Sequence, residues 1–157
     1  MVNIEKIPVS HIEEFWQIHY RYLIDEGLLT NEEEKEYFKS PEYRNAIESL
    51  MNTEIDRLHM VYFVENGVRI GAAQYLTYRS EDGKCFILDY WVFPQYRGNG
   101  TGHRCFECLA AYTGADGALY YMINCDEREN AIRFWKSLGF VENGVDEHGS
   151  ALYIRKT

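Results

Sequence analysis

The stretch Phe93-Pro-Gln-Tyr-Arg-Gly-Asn-Gly-Thr-Gly102 decides how this sequence is read. Gly98, Gly100 and Gly102 stand at alternate positions directly behind Arg97. Glycine costs backbone entropy, so three together require a reason. A strand-like run, Cys85-Phe-Ile-Leu-Asp-Tyr-Trp-Val-Phe93, precedes them, and a helix-like run from His103 to Thr113 follows. The first turn of a helix carries N–H groups with no internal partner, and the helix dipole adds partial positive charge there. Glycines leave those amides open to a ligand. Arg97 adds a planar fork of donors that matches phosphate. The pattern reads as a cradle for a diphosphate; without a ligand it is a strand-to-helix turn. A Walker loop would need Gly-Lys where this chain has His103-Arg104, and a dinucleotide fingerprint would need glycine at His103.

Working outward, Val2 to Ile7 alternates as a short strand. Ser10 and Glu13 form a capping-box pair for a helix whose face carries Ile12, Phe15, Trp16 and His19, with its end near Gly27. A second helical region starts at Thr30-Asn31, where Glu32, Glu33 and Glu34 suit the helix dipole, and runs to about Asp56, with Pro41 either interrupting it or starting a further helix. From His59 the pattern becomes a strand meander, with turns at Glu65-Asn-Gly67 and Ser80-Glu-Asp-Gly83 and the run ending at Phe93 as its third strand. The helix behind the glycine stretch closes at Gly114; a strand, Ala118 to Ile123, and a helix stopped by Gly139 follow. A last hairpin, turning at Asp146 to Gly149, ends the chain. An antiparallel meander followed by a strand–helix–strand unit predicts a mixed α/β fold in one domain, residues 1–157, with helices packed on a mixed sheet.

A chain of 157 residues is long enough for an ordinary core without staples. The net charge of −9 opposes non-specific nucleic-acid binding and is compatible with a cationic small substrate or with plain solubility. No apolar run reaches the roughly 20 residues of a membrane helix, and the first residues lack a signal-peptide layout, so a cytoplasmic protein is expected. Cys105 and Cys108 form a Cys-x-x-Cys inside a helix, without the second pair or histidine spacing of a zinc site. With Cys85 and Cys125 they read as reduced thiols, and no metal is expected.

Arg97-Gly-Asn-Gly-Thr-Gly102, with its lead-in Trp91-Val-Phe-Pro94, resembles the [Gln/Arg]-x-x-Gly-x-[Gly/Ala] signature of the GNAT superfamily of N-acetyltransferases. Asn130-Ala-Ile-Arg-Phe-Trp-Lys-Ser-Leu-Gly-Phe140 is similar to the family's Ala-x-x-[Phe/Leu]-Tyr-x-x-x-Gly-Phe element. The two motifs stand in the family's order, one helix and one strand apart. The resemblance implies the GNAT fold, a mostly antiparallel six- to seven-stranded sheet with about four helices on both faces. It implies acetyl-CoA, or another acyl-CoA, as donor. The diphosphate would rest on Arg97, Gly98, Asn99, Gly100, Thr101 and Gly102, and the pantetheine arm beside Trp91, Val92 and Phe93. Asn124 and Asn130 are candidates for further coenzyme contacts, and Phe134 would flank the thiol end.

For the chemistry, the resemblance points to a carboxylate on the strand before the glycine loop as base. Asp89 fits, and a charged residue within Ile-Leu-Asp-Tyr-Trp-Val is costly unless partnered. The backbone N–H of Val92 is the implied oxyanion donor. Trp135 stands where the family often has a tyrosine acid; an indole N–H donates a hydrogen bond but is no acid near neutral pH. It reads better as core, sharing one helix face with Ala131, Phe134 and Leu138, with Cys125, Tyr121 or water as other proton sources. For the acceptor, Tyr22, Asp25 and Glu26, with Glu32, Glu33, Glu34 and Glu36 behind them, could attract a cationic amine or form a solvated face; Tyr20 and Tyr37 could join Tyr22 in an aromatic wall. The reading is N-acetyl transfer to a small primary amine. Beside it stand a non-catalytic acyl-CoA-binding module, an interaction protein that keeps the fold only, and acetylation of a protein lysine or N-terminus. Relatives are often dimers, so the resemblance leaves a homodimer open.

Overall fold

The computed structural model describes residues 1–125 and 128–156. The elements run β1 (Val2–Lys6), α1 (Ile12–Asp25), α2 (Glu32–Lys39), α3 (Pro41–Met51), β2 (Leu58–Glu65), β3 (Val68–Thr77), β4 (Lys84–Val92), α4 (Thr101–Ala115), β5 (Tyr120–Asn124), α5 (Glu129–Ser137), β6 (Val141–Val145) and β7 (Ala151–Lys156). One seven-stranded sheet has the order β1-β2-β3-β4-β5-β7-β6. Only β4 and β5 pair in parallel; the other five pairings are antiparallel. The mixed sheet expected from the sequence is the one found.

Two cores lie on the two faces. On one, Phe106 and Leu109 of α4 and Trp135 of α5 pack on Tyr75, Ile87 and Ile123. On the other, Phe15 and Trp16 of α1 and Ile47 of α3 pack on Met60, Tyr62, Ala72 and Trp91. The β2–β3 turn is read correctly from sequence: Asn66 and Gly67 both have positive φ, 53° and 76°, as a two-residue turn of the right twist requires.

Two local readings are corrected, and at Pro41 one of the two readings left open is selected. Ser10 lies in a short 3-10 turn, and α1 starts behind His11 with no side-chain cap. Pro41 starts a helix of its own, because Ser40 ends α2 in an extended conformation and its hydroxyl caps the next N-terminus, accepting from Tyr43 N. Gly114 lies within α4; the left-handed residue behind the helix is Gly117, and Ala118 N bonds back to Thr113 O at 3.0 Å. No described helix is long and apolar enough to cross a membrane.

Candidate active site

The site begins with an irregularity in β4. Gln74 pairs with Asp89, but the next residue, Tyr75, pairs with Ile87, leaving Leu88 opposite no residue of β3. This bulge changes the alternation of side chains. Cys85 and Ile87 face the α4 core, and behind the bulge Val92 packs into that core with Tyr90 against it, while Trp91 belongs to the α1 core. Without the extra residue Asp89 would follow Ile87 onto the α4 side. With it, Asp89 faces α1, beside His19 and Gln74.

The bulge also ends the contact with β5. Pairing between the two strands stops at Ile87 and Ile123, so the remainder of β4 diverges from β5. The opening is a cavity of about 550 Å³, bounded by the β4 end, the glycine loop, the start of α5 and the last turn of α1. Phe93 N donates to Ile70 O at 2.8 Å. By antiparallel alternation the neighbouring Gly71–Val92 pair is not hydrogen-bonded, so the Val92 N–H and C=O point away from β3 into the opening.

The glycines have different reasons. Gly98 and Gly100 take positive φ, 94° and 75°, and a side chain at Gly98 would meet nothing within 4 Å. These two shape the loop and leave space in front of it. Gly102 has no unusual φ; a Cβ there would lie 2.6 Å from Cε1 of Phe134. It is a packing position, where α5 approaches the start of α4, and the Tyr90 hydroxyl donates to its carbonyl. The N–H groups of Gly100, Gly102 and His103 bond to no described residue, as the first turn of a helix dictates. Thr101 N and its hydroxyl both donate to Gly98 O, and Arg104 donates to Asn99 O and to Glu65, so the loop is fixed from its own side chains.

Arg97 is less free than its motif implies. Its Nε donates to Val92 O at 2.8 Å, and one terminal nitrogen lies 2.7 Å from Glu26. Glu26 also holds Arg128, 3.2 Å away, and Arg128 lies close enough to Tyr22 to offset part of the upward shift of its phenol. The end of α1 is thereby tied across the cavity to the segments before α4 and α5.

Among the described residues, Asp89 and Glu26 are the carboxylates that line the cavity. Gln74 Nε2 donates to Oδ2 of Asp89 at 3.0 Å. His19, 3% exposed, places Nε2 3.1 Å from the same oxygen, although the N–H is not aimed at it. Tyr22 stacks on Trp91 at 4.6 Å. Its phenol is pushed up to about 12, first by burial and then by the Asp89 charge, so it stays neutral. Tyr43 on α3 is raised further by the same two causes.

Of the residues expected from the sequence, the cavity lining contains Tyr22, Glu26, Asp89, Trp91, Val92, Arg97, Gly98, Gly100, Thr101, Gly102, Asn124, Asn130, Phe134 and Trp135. Phe93, Asn99, Cys125 and Asp25 lie outside it. Phe93 packs towards the α1 core, Cys125 is buried in the α4 core, and Asp25 is exposed. Trp135 is mainly core, touching Tyr90, Phe106, Phe134 and Phe140. Tyr121 turns to α4, donating to Ala110 O and meeting Thr113. The Asn124 amide donates to Asp146, and the Asn130 oxygen accepts from Arg133. Glu32, Glu33, Glu34 and Glu36 form an exposed face of α2. Tyr37 is exposed, while Tyr20 lines a second cavity of about 230 Å³ between α1, α2 and α3. His19 and Gln74 escape a reading of the sequence because nothing there marks the bulge that brings them to Asp89; an interrupted alternation through Ile87-Leu88-Asp89 is its only trace.

Known structures share this architecture. The PaiA N-acetyltransferase from Thermoplasma acidophilum, solved in complex with coenzyme A, superposes with a TM-score of 0.74 at 13% identity, covering 100% of this chain and 99% of that one. An acetyltransferase from Thermus thermophilus gives 0.72 at 13% identity, covering 100% and 97%. A predicted acetyltransferase from Clostridium acetobutylicum, solved with acetyl-CoA, gives 0.63 at 22% identity, covering 94% and 93%. These likenesses establish the acetyltransferase fold. The sequence model of the acetyltransferase (GNAT) family matches residues 13–140, so the chain belongs to that family. No curated protein matches the sequence.

Proposed function

We propose that this acyltransferase moves an acetyl group from acetyl-CoA to a primary amine of a small molecule, by direct attack with both substrates bound. The diphosphate would lie on the open amides of Gly100, Gly102 and His103. The pantetheine arm would follow the unpaired edge of β4, where Val92 presents backbone groups. The carrying observation is the bulge, which opens β4 from β5 and turns Asp89 towards α1 at the same point.

A lysine-like amine has a pKa near 10.4, and its neutral form costs about 4–5 kcal/mol at pH 7. Asp89 supplies the base that removes its proton. The amine nitrogen then bonds to the thioester carbon, with the Val92 N–H facing the developing oxyanion. As the C–S bond breaks, the thiolate leaves without a dedicated protein acid, because a thiol pKa of about 8.5 makes it a fair leaving group. A cationic acceptor draws little support from the lining: Asp25 and the α2 glutamates stand outside, and Glu26 already holds two arginines.

The test is thiol release from acetyl-CoA against polyamines, aminoglycosides, amino acids and a basic peptide with a free N-terminus. Release with a small amine is expected; release only with the peptide would instead make the acceptor a protein. Asp89→Asn should lower kcat by about a hundredfold or more, with the CoA dissociation constant unchanged. An unchanged kcat removes Asp89 as base. Coenzyme binding with no release for any acceptor favours the binding-module reading, for which the core placement of Trp135 is the supporting observation.

A further inference from the structure

The proposed base has a neighbour that its role leaves unexplained. His19 on α1 is 3% exposed, and burying an imidazole is costly unless its nitrogens are used. Aromatic rings hold its plane: Phe15 and Tyr22 stack at 5.9 and 6.4 Å, Trp91 lies at 5.3 Å, and Phe38 of α2 stands edge-on at 6.5 Å. In this box Nε2 is 3.1 Å from Oδ2 of Asp89. Gln74 Nε2 meets the same oxygen from β3. Both neighbours therefore converge on Oδ2, and Oδ1 receives no bond from a described residue, while the side chain retains 24% exposure on the cavity side.

We propose that His19 is a positioning residue for the base: with Gln74 it holds Oδ2, so that Oδ1 is the atom presented to the acceptor ammonium. This rests on the transferase reading given above. The resting ring carries its proton on Nε2, because a bare nitrogen lone pair 3.1 Å from a carboxylate oxygen would be repelled. The ring N–H is not yet in line with Oδ2; catalytic hydrogen bonds are often loose before substrates bind and tighten in the complex. When Oδ1 takes the ammonium proton, the N–H on the other oxygen keeps the acid oriented. Restoring the carboxylate releases that proton to solvent and leaves His19 unchanged. His19 also lines the second cavity, together with Glu13, Gln17, Tyr20, Lys39, Tyr43 and Arg44, of which Arg44 is held by Glu13.

Two measurements test this. In ¹⁵N-labelled full-length protein, the His19 ring should show the Nε2–H form, and its resonances should move in Asp89→Asn. A ring protonated on Nδ1 alone, or one indifferent to Asp89→Asn, overturns the proposal. In the thiol-release assay with acetyl-CoA and an amine that the native protein accepts, His19→Phe keeps the stacked ring but loses the donor. Its kcat should fall roughly ten- to a hundredfold, with KM for acetyl-CoA unchanged, and His19→Gln should recover part of the loss. Equal kcat in His19→Phe and native protein, or a loss confined to KM, overturns it. Absence of release by the native protein with every amine sinks the transferase reading alone, since the ring measurement still decides whether His19 holds Asp89.

Discussion

The glycine-loop wall and the α1 wall of the same cavity are built by opposite means. The loop side is backbone: two glycines at positive φ, three N–H groups that bond to no described residue and a threonine that ties the turn to itself. The α1 side is side chains: Tyr22 stacked on Trp91, His19 against Asp89, and Glu26 reaching to Arg97 and Arg128. Under the proposed function, the backbone cradle would recognise what every acyl-CoA shares, and its conformation demands particular residues. A side-chain wall can be rebuilt for another acceptor without changing the fold. On that reading one cavity would join a fixed requirement to an adjustable one.

The largest expected break in this contrast comes from Gly100→Leu. A side chain at φ 75° costs about 1–2 kcal/mol, which a folded protein tolerates, but it would project over the open amides. Calorimetric titration should show CoA binding weakened by about a hundredfold or more, with circular dichroism unchanged. Full affinity would remove the diphosphate from this loop.

Gly102→Ala sharpens the contrast within the loop itself. Its Cβ meets the Phe134 ring at 2.6 Å, so α5 must shift or the ring must rotate. Overpacking of this kind costs about 1–3 kcal/mol. Thermal denaturation should fall by several degrees, while CoA affinity suffers less than in Gly100→Leu. A larger affinity loss with an unchanged melting temperature would make Gly102 a ligand position and not a packing one.

The same contrast explains what can be read from the sequence. The glycine loop is legible because a left-handed backbone and a bare helix start restrict the residues allowed. The element order and the strand–helix alternation are legible from periodicity. Asp89 is legible as a carboxylate in an apolar strand, but its direction is not, since the bulge at Leu88 is a pairing choice between β3 and β4. His19 looks like one more residue on an apolar helix face, and becomes part of the site only through packing across the sheet. Glu26 reads from sequence either as a carboxylate for a cationic substrate or as part of a solvated face. Its actual partners, Arg97 and Arg128, are about 71 and 102 positions away in the chain, and no local pattern announces such a pairing.

Glu26→Gln is the smallest effect and tests where the two walls meet. The carboxylate is mostly covered, and both arginines are about two-fifths exposed, so solvent screening keeps each pair within about 1 kcal/mol. Removing the charge releases the Arg97 fork from its acidic partner while leaving the Nε bond to Val92 O in place. If Arg97 serves the diphosphate, an incoming CoA no longer competes with Glu26, and its dissociation constant should fall about two- to fivefold. Pantetheine, which lacks the diphosphate, should bind as before. The acceptor KM should rise, because the last turn of α1 loses its anchor to the coenzyme side. Equal gains for CoA and pantetheine would show that Glu26 blocks the arm and not the diphosphate. Weaker CoA binding would mean that the Glu26 bridge shapes the cradle, and that the side-chain wall contributes to coenzyme recognition after all.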